Sequence, residues 1–292
     1  MTTNRLLIFV LPVWLLVLSL TALAQGFDDG IDRTAEDFVQ VSLMVADPTD
    51  QSQDYLGITG HSFLRLQCPT FNLDYCFSYE SEAIKGRLWD CITGKLRMGL
   101  FAIPTDEYIA DYRQWQRAVH EYRINMPASA ELRLWELMDN HMLAEQEVQK
   151  NLFKYGCTST LLRYVECALL PDTIAYVWPE KFYTKSAVEL TKEHMANYPW
   201  TALMIQVTSI REYALLTTPK QKVLFPADLL EVWSMATING EPLLSYIGDP
   251  VEAEPVVTPK PWFTPQLCGI LLLILIALGL AYAIGRKYNT SK

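Results

Sequence analysis

The sequence contains no Cys-x-x-Cys pair and no His-Glu-x-x-His helix motif, so the ligand spacings of a zinc centre are missing. It also has no Gly-x-Ser-x-Gly turn and no glycine-rich phosphate loop, which removes support for an α/β-type serine hydrolase or a P-loop nucleotide enzyme. Positive charge is short: 24 Lys and Arg against 33 Asp and Glu leave a net charge of −9. That balance argues against a nucleic-acid partner and against electrostatic capture by anionic lipid headgroups. Neither an internal repeat nor a low-complexity segment is present, and neither a metal nor a cofactor is implied.

The informative features begin at the ends of the chain. Met1-Thr-Thr-Asn-Arg5 precedes an uncharged run from Leu6 to Ala24, with Ala22-Leu23-Ala24 forming a small-x-small cleavage site. Residues 1–24 therefore read as a secretory signal peptide, with an uncleaved N-terminal membrane helix as the alternative; either one exports the rest of the chain. Near the other end, Leu267 to Ile284 is an uncharged run of 18 residues. As a helix it covers about 27 Å, close to the hydrocarbon thickness of a bilayer. Arg286, Lys287 and Lys292 come after it, while Asp249, Glu252 and Glu254 precede it. By the positive-inside rule, residues 266–285 form a single transmembrane helix and 286–292 a cytoplasmic tail, placing the protein in the inner membrane with its domain in the periplasm. Residues 249–265 are proline-rich and read as a semi-rigid stalk. The folded part is 25–248, enough for one domain with a sizeable core.

Of six cysteines, Cys268 lies in the anchor. Cys68, Cys76, Cys91, Cys157 and Cys167 are left for an oxidising compartment, and an odd number leaves at least one thiol free. The other four allow two disulfides in three connectivities. Cys68 and Cys76, flanking a hairpin tip at Pro69 to Asp74, are the easiest pair to picture.

Two residues stand where chemistry needs them. In Gly57-Ile-Thr-Gly60-His61-Ser62-Phe63-Leu64-Arg65-Leu66, the alternation after the glycines predicts a strand half-buried on one face, with His61 at its start. In Gly156-Cys157-Thr-Ser-Thr-Leu161, residues Leu161, Val165, Ala168 and Leu169 recur at helical spacing until Leu170-Pro171 stops the run. Cys157 opens that helix, where unpaired N–H groups and the positive dipole end favour a thiolate and can hold an oxyanion. Each residue taken alone also has a plain packing role as its alternative. A second helix is expected from about Pro127 to Glu147, with Leu134, Leu137, Met138 and His141 on one stripe. His141 reads as a core or boundary residue, and His120 and His194 as members of solvated polar faces.

These pieces resemble a known family, the periplasmic N-terminal domain of the Bacteroidetes lipoprotein N-acyltransferase Lnb. The likeness is carried by Gly60-His61-Ser62-Phe63-Leu64-Arg65, Tyr75-Cys-Phe-Ser-Tyr79, Gly94-Lys95-Leu96, Tyr155-Gly156-Cys157-Thr158-Ser159 with Leu162-Arg163, Pro199-Trp200, and Leu224-Phe225-Pro226-Ala227-Asp228-Leu229. The resemblance implies an α+β, circularly permuted papain-like (NlpC-like) domain in which Cys157 is the nucleophile and His61 its general base. It also implies an acyl transfer from membrane phospholipid to a lipoprotein N-terminal amine through a thioester on Cys157. Two departures are visible. Gly156 and Ser159 stand where the family has Asn and Thr, and this chain has one membrane helix after the domain where the Lnb enzyme has several. A third residue is expected to orient the imidazole; Asp74 is chemically the best nearby choice, with Ser78 and Tyr79 as competitors. An NlpC-like cell-envelope cysteine hydrolase (peptidase or amidase) and a non-catalytic anchored binding domain are the competing readings.

Overall fold

Strand β1 (Gln40–Ala46) carries Val41, Leu43, Met44 and Val45, and it is buried along both faces. Such a strand must lie inside a sheet covered on both sides. It pairs antiparallel with β2 (His61–Cys68), which turns through a short 3₁₀ segment at Pro69–Phe71 into β3 (Leu73–Ser81). Asn72 closes the turn in the left-handed conformation (φ 53°), one of the few that asparagine accepts readily. β4 (Arg97–Pro104) comes next, on the far side of β3, and runs into helix α1 (Thr105–Gln114). β5 (Val119–Ile124) returns to the other side of β1. Helix α2 (Ala128–Leu143), the short β6 (Val148–Gln149) and helix α3 (Cys157–Leu169) come after it.

The structure is a computed structural model that describes residues 31–33, 35, 38–49, 57–81, 97–144, 148–149, 156–254, 258 and 260–290. The expected signal peptide, Cys91, Gly94-Lys95-Leu96, Tyr155 and the tip of the C-terminal tail lie outside these residues. After α3 come β7 (Ile174–Ala175), helices α4 (Lys181–Thr184), α5 (Ala187–His194), α6 (Pro199–Thr208), α7 (Ile210–Leu215) and α8 (Pro226–Ser234), then β8 (Thr237–Ile238), β9 (Glu241–Pro242), β10 (Leu244–Val251) and helix α9 (Pro265–Thr290).

Among the described residues the main sheet has seven strands in the order β10-β5-β1-β2-β3-β4-β6, all neighbours antiparallel, and β7-β8-β9 form a small second sheet. The chain is thus α+β. One face of the main sheet packs Leu64, Leu66 and Phe77 against Leu134, Trp135 and Met138 of α2, Leu161 and Val165 of α3, and Leu229 and Trp233 of α8. The other face sets Met44, Phe63 and Cys76 against Tyr108, Ile109 and Tyr112 of α1. β2 is therefore covered on both faces near His61, where the alternating pattern predicted burial on one; α1, which continues directly from β4, lies over the Phe63 side. In α2, Leu134 and Met138 are buried while Leu137 is exposed, and the helix ends at Leu143.

Two further expectations are corrected. Cys68 and Cys76 are free thiols, as are Cys157, Cys167 and Cys268. Cys68 pairs across the hairpin with Leu73 and Cys76 with Arg65, so their side chains enter opposite faces of the sheet. The fold also runs past residue 248, because β10 continues to Val251 and uses Asp249 and Pro250, residues expected to belong to the stalk. Pro250 lies in the last, irregular stretch of this edge strand, where a missing donor is tolerated. α9 contains an apolar span, Pro265–Ile284, long and apolar enough to cross a membrane, and none of it is buried against the domain.

Gly60 sets the entry to β2. It adopts φ +87°, and a Cβ there would stand 2.9 Å from the carbonyl oxygen of Ala46, the residue paired with His61. Gly60→Ala is expected to cost about 1–3 kcal/mol in folding stability. A denaturation series on the full chain in detergent checks this, and a change below a few tenths would mean the turn is slack.

Candidate functional site

Helix α3 is held by Leu161, Leu162, Val165, Ala168 and Leu169, which pack into the core facing the main sheet. Gly156 caps it in extended conformation (φ −71°, ψ 161°) and accepts from the Thr160 amide at 3.0 Å and the Ser159 hydroxyl at 3.2 Å. Cys157 is thus the first helical residue, and its own N–H belongs to the unpaired first turn. The helix delivers the sulfur to the start of β2, where it meets the His61 ring and both the amide and the hydroxyl of Ser62. Ser62 is fully buried beside it.

The opposite side of the imidazole is also occupied. His61 Nε2 stands 2.8 Å from Ser78 Oγ and 3.4 Å from Glu80 Oε1. Ser78 donates to Glu80 Oε1 at 2.6 Å, and the Tyr108 hydroxyl donates to the same oxygen at 2.5 Å, lying 3.0 Å from Ser78 Oγ. Tyr112 extends the chain to Tyr108 at 3.4 Å. With Nε2 directed at Ser78 and Glu80, Nδ1 is the nitrogen left for sulfur. The ring is stacked against Phe63, centroids 5.9 Å apart, which limits its rotation.

The electrostatics result from this arrangement. Burial works against the imidazolium, but Tyr112, the Glu80 carboxylate and hydrogen bonds to Cys157 and Glu80 outweigh it, raising the His61 pKa well above 6.5. Burial pushes the Cys157 thiol up, yet the His61 hydrogen bond and charge, with the two Ser62 groups, bring it down to about 7. Glu80 is resisted by burial and then lowered to about 2 by His61, Ser78 and Tyr108, so it stays ionised. These shifts favour a thiolate beside an imidazolium, backed by a fixed carboxylate. A cysteine with that pairing is nucleophilic near neutral pH.

Asp74 is not at this site. It shares a strand face with Ser78 and Glu80, but it lies at the far end of β3, six residues or about 20 Å from Glu80. There it binds Arg65 through both oxygens (2.9 and 2.6 Å) and accepts from Gln67 at 3.1 Å and Thr105 at 2.6 Å. Ser78, the first of its competitors, does meet His61. Tyr79 points to the other face, its ring 6.2 Å from that of His141. Glu80 is a site residue that the sequence reading misses, although the hairpin register could have found it: pairs such as Leu64 with Phe77 sum to 141, and residue 61 then faces residue 80.

The other histidines stand elsewhere. His120 bridges Asp249 at 2.6 Å and Asp47 at 3.2 Å, and His194 sits 2.9 Å from the fully buried Asp228, so neither is on a merely solvated face. His141 contacts the Tyr164 hydroxyl. Among the described residues no group of three His, Cys, Asp or Glu side chains is placed to hold a metal ion.

The fold and site define an α+β domain that ends in an apolar, membrane-length helix and brings a cysteine at a helix start against a histidine at a strand start. Residues 33–177 match the family model described as the Lnb N-terminal periplasmic domain, and this part of the chain belongs to that family. The match includes His61, Ser78, Glu80 and Cys157. No curated protein and no solved structure matches the chain.

Alkylation of Cys157, measured peptide by peptide across pH, is expected to rise with a midpoint near 7. In His61→Ala the lowering influence is removed, so the midpoint moves up toward the ordinary thiol value of 9.0. A midpoint unmoved in that variant would separate the two residues. Glu80→Gln deletes a negative neighbour, so the His61 ring, monitored by NMR of labelled histidine, should lose its proton at lower pH than in the native chain.

Proposed function

We propose that this chain is a membrane-anchored periplasmic thiol acyltransferase of the inner membrane, built on a circularly permuted papain-like arrangement, with Cys157 as nucleophile and His61 as its base. The observation that carries this reading is the contact between Cys157 and His61 at the junction of α3 and β2. Membership of the Lnb N-terminal domain family supports the reaction class, and the apolar span Pro265–Ile284 of α9, with Arg286 and Lys287 after it, supports the topology.

The donor in this reading is an acyl ester of a membrane phospholipid. The Cys157 thiolate attacks the carbonyl carbon, and the oxyanion is received by the Cys157 N–H and its neighbours at the start of α3. Collapse breaks the ester bond, and the imidazolium of His61 gives its proton to the departing lysolipid oxygen. His61, now neutral, takes a proton from the incoming amine as its nitrogen attacks the thioester. The amide product leaves, and thiolate and imidazolium are restored. The acceptor is the α-amino group of a lipoprotein's N-terminal cysteine. Ser78 and Glu80 act as positioning residues that hold the ring and favour its charged form.

Incubation of the full chain with phospholipid vesicles should place an acyl group on Cys157, detectable by mass spectrometry, and release lysolipid. Cys157→Ala should abolish both, and His61→Ala should slow lysolipid release by about 10²–10⁴-fold. Cleavage of muropeptides without acylation of Cys157 from lipid would instead favour the NlpC-like hydrolase. Oxidised or inaccessible sulfur would leave a binding domain.

A further inference from the structure

Helix α6 is ten residues long and contains no charged side chain. Its two sides differ in what they meet. Ala202 and Ile205 pack on Ile58, Met195 and Phe225. Trp200, Leu203 and Val207, spaced three and four apart on another side, are exposed, and Ile210 at the start of α7 continues the apolar run; Val207 is 60% and Ile210 65% exposed. A contiguous apolar surface of this kind marks a contact site.

What covers it is indicated by its neighbour. The Trp200 indole donates to the carbonyl of Phe263 at 3.0 Å and its ring stacks on that of Phe263, centroids 5.5 Å apart. Phe263 and the 85%-exposed Trp262 immediately precede α9. Tryptophan and phenylalanine at the mouth of an apolar span sit at the level of lipid headgroups. The exposed face of α6 is therefore continuous with the start of the membrane-crossing segment.

We infer that the Trp200–Leu203–Val207–Ile210 face rests in the bilayer interface, laying the domain on the lipid surface beside its own anchor. With a net charge of −9 the contact has to be apolar rather than electrostatic. The inner side of α6 packs in one cluster with Ile58, three residues before His61. One helix thickness, about 10 Å, then separates lipid from the turn that carries the histidine. This rests on the anchored reading of α9 and deepens the proposed function by supplying the way a phospholipid carbonyl comes within reach.

The test reconstitutes the full chain in bilayers containing phosphatidylcholine brominated high on one acyl chain and compares native protein with Trp200→Phe. Trp200 in the interface is quenched by bromine, so the bromolipid-sensitive part of the tryptophan emission should fall in the variant. An equal bromolipid-sensitive emission in both proteins would overturn the inference, as would self-association through this face in the bilayer, read by cross-linking that Val207→Glu abolishes. In Leu203→Ser/Val207→Ser/Ile210→Ser, lysolipid release from bilayers should drop about tenfold while Cys157 alkylation keeps its rate and midpoint. Where the native chain releases lysolipid, the same rate in that variant would also overturn it. The quenching measurement does not depend on turnover, so loss of the acyltransferase reading alone leaves it intact.

Discussion

The arrangement depends on one electrostatic exchange: a partly buried thiol and a partly buried imidazole each offset the cost that burial places on the other's charge. Taken singly, burial keeps a thiol protonated and an imidazole neutral. Together, with the Ser62 groups on sulfur and Glu80 behind the ring, the charged pair becomes the stable form. Much of the fold serves this meeting. α3 is fastened to the sheet by its apolar face so that its first turn ends at β2, and Gly60 lets β1 pass close enough to fix where β2 begins.

The far side of the imidazole shows how the sheet does the work of orientation. Ser78 and Glu80 alternate on one face of β3, so a single strand presents both groups to one ring. α1, which caps that face, adds Tyr108 to the same carboxylate oxygen. A carboxylate receiving donors from the ring, a serine and a tyrosine has little freedom to turn, and its depressed pKa is the thermodynamic image of that.

The two principal residues are legible because each is announced locally. A glycine pair ahead of a strand pattern marks His61, and an apolar 3.6-residue period begins at Cys157. Features that depend on register or distance are not legible in the same way. Asp74 has the right chemistry, whereas counting across the hairpin leads to Glu80. Cys68 and Cys76 flank the same turn, yet their positions in the β-period send them to opposite faces. His120 and His194 look solvated beside their sequence neighbours because the carboxylates they meet, Asp47, Asp249 and Asp228, arrive from remote segments. The extension of β10 to Val251 is hidden by Pro250, a residue that edge strands can accommodate.

The distribution of thiols has a consequence for how such a protein ages in an oxidising compartment. Peroxide attacks thiolates, and Cys76, pushed by burial up to about 12, holds its proton and lies deep in the core, while Cys68 is shifted the same way. Cys157 is already half ionised near neutral pH and lies only partly buried. Of these three sulfurs Cys157 is the one oxidation reaches first: it would pass to sulfenic acid, and then irreversibly further, while Cys68 and Cys76 in the scaffold keep their protons.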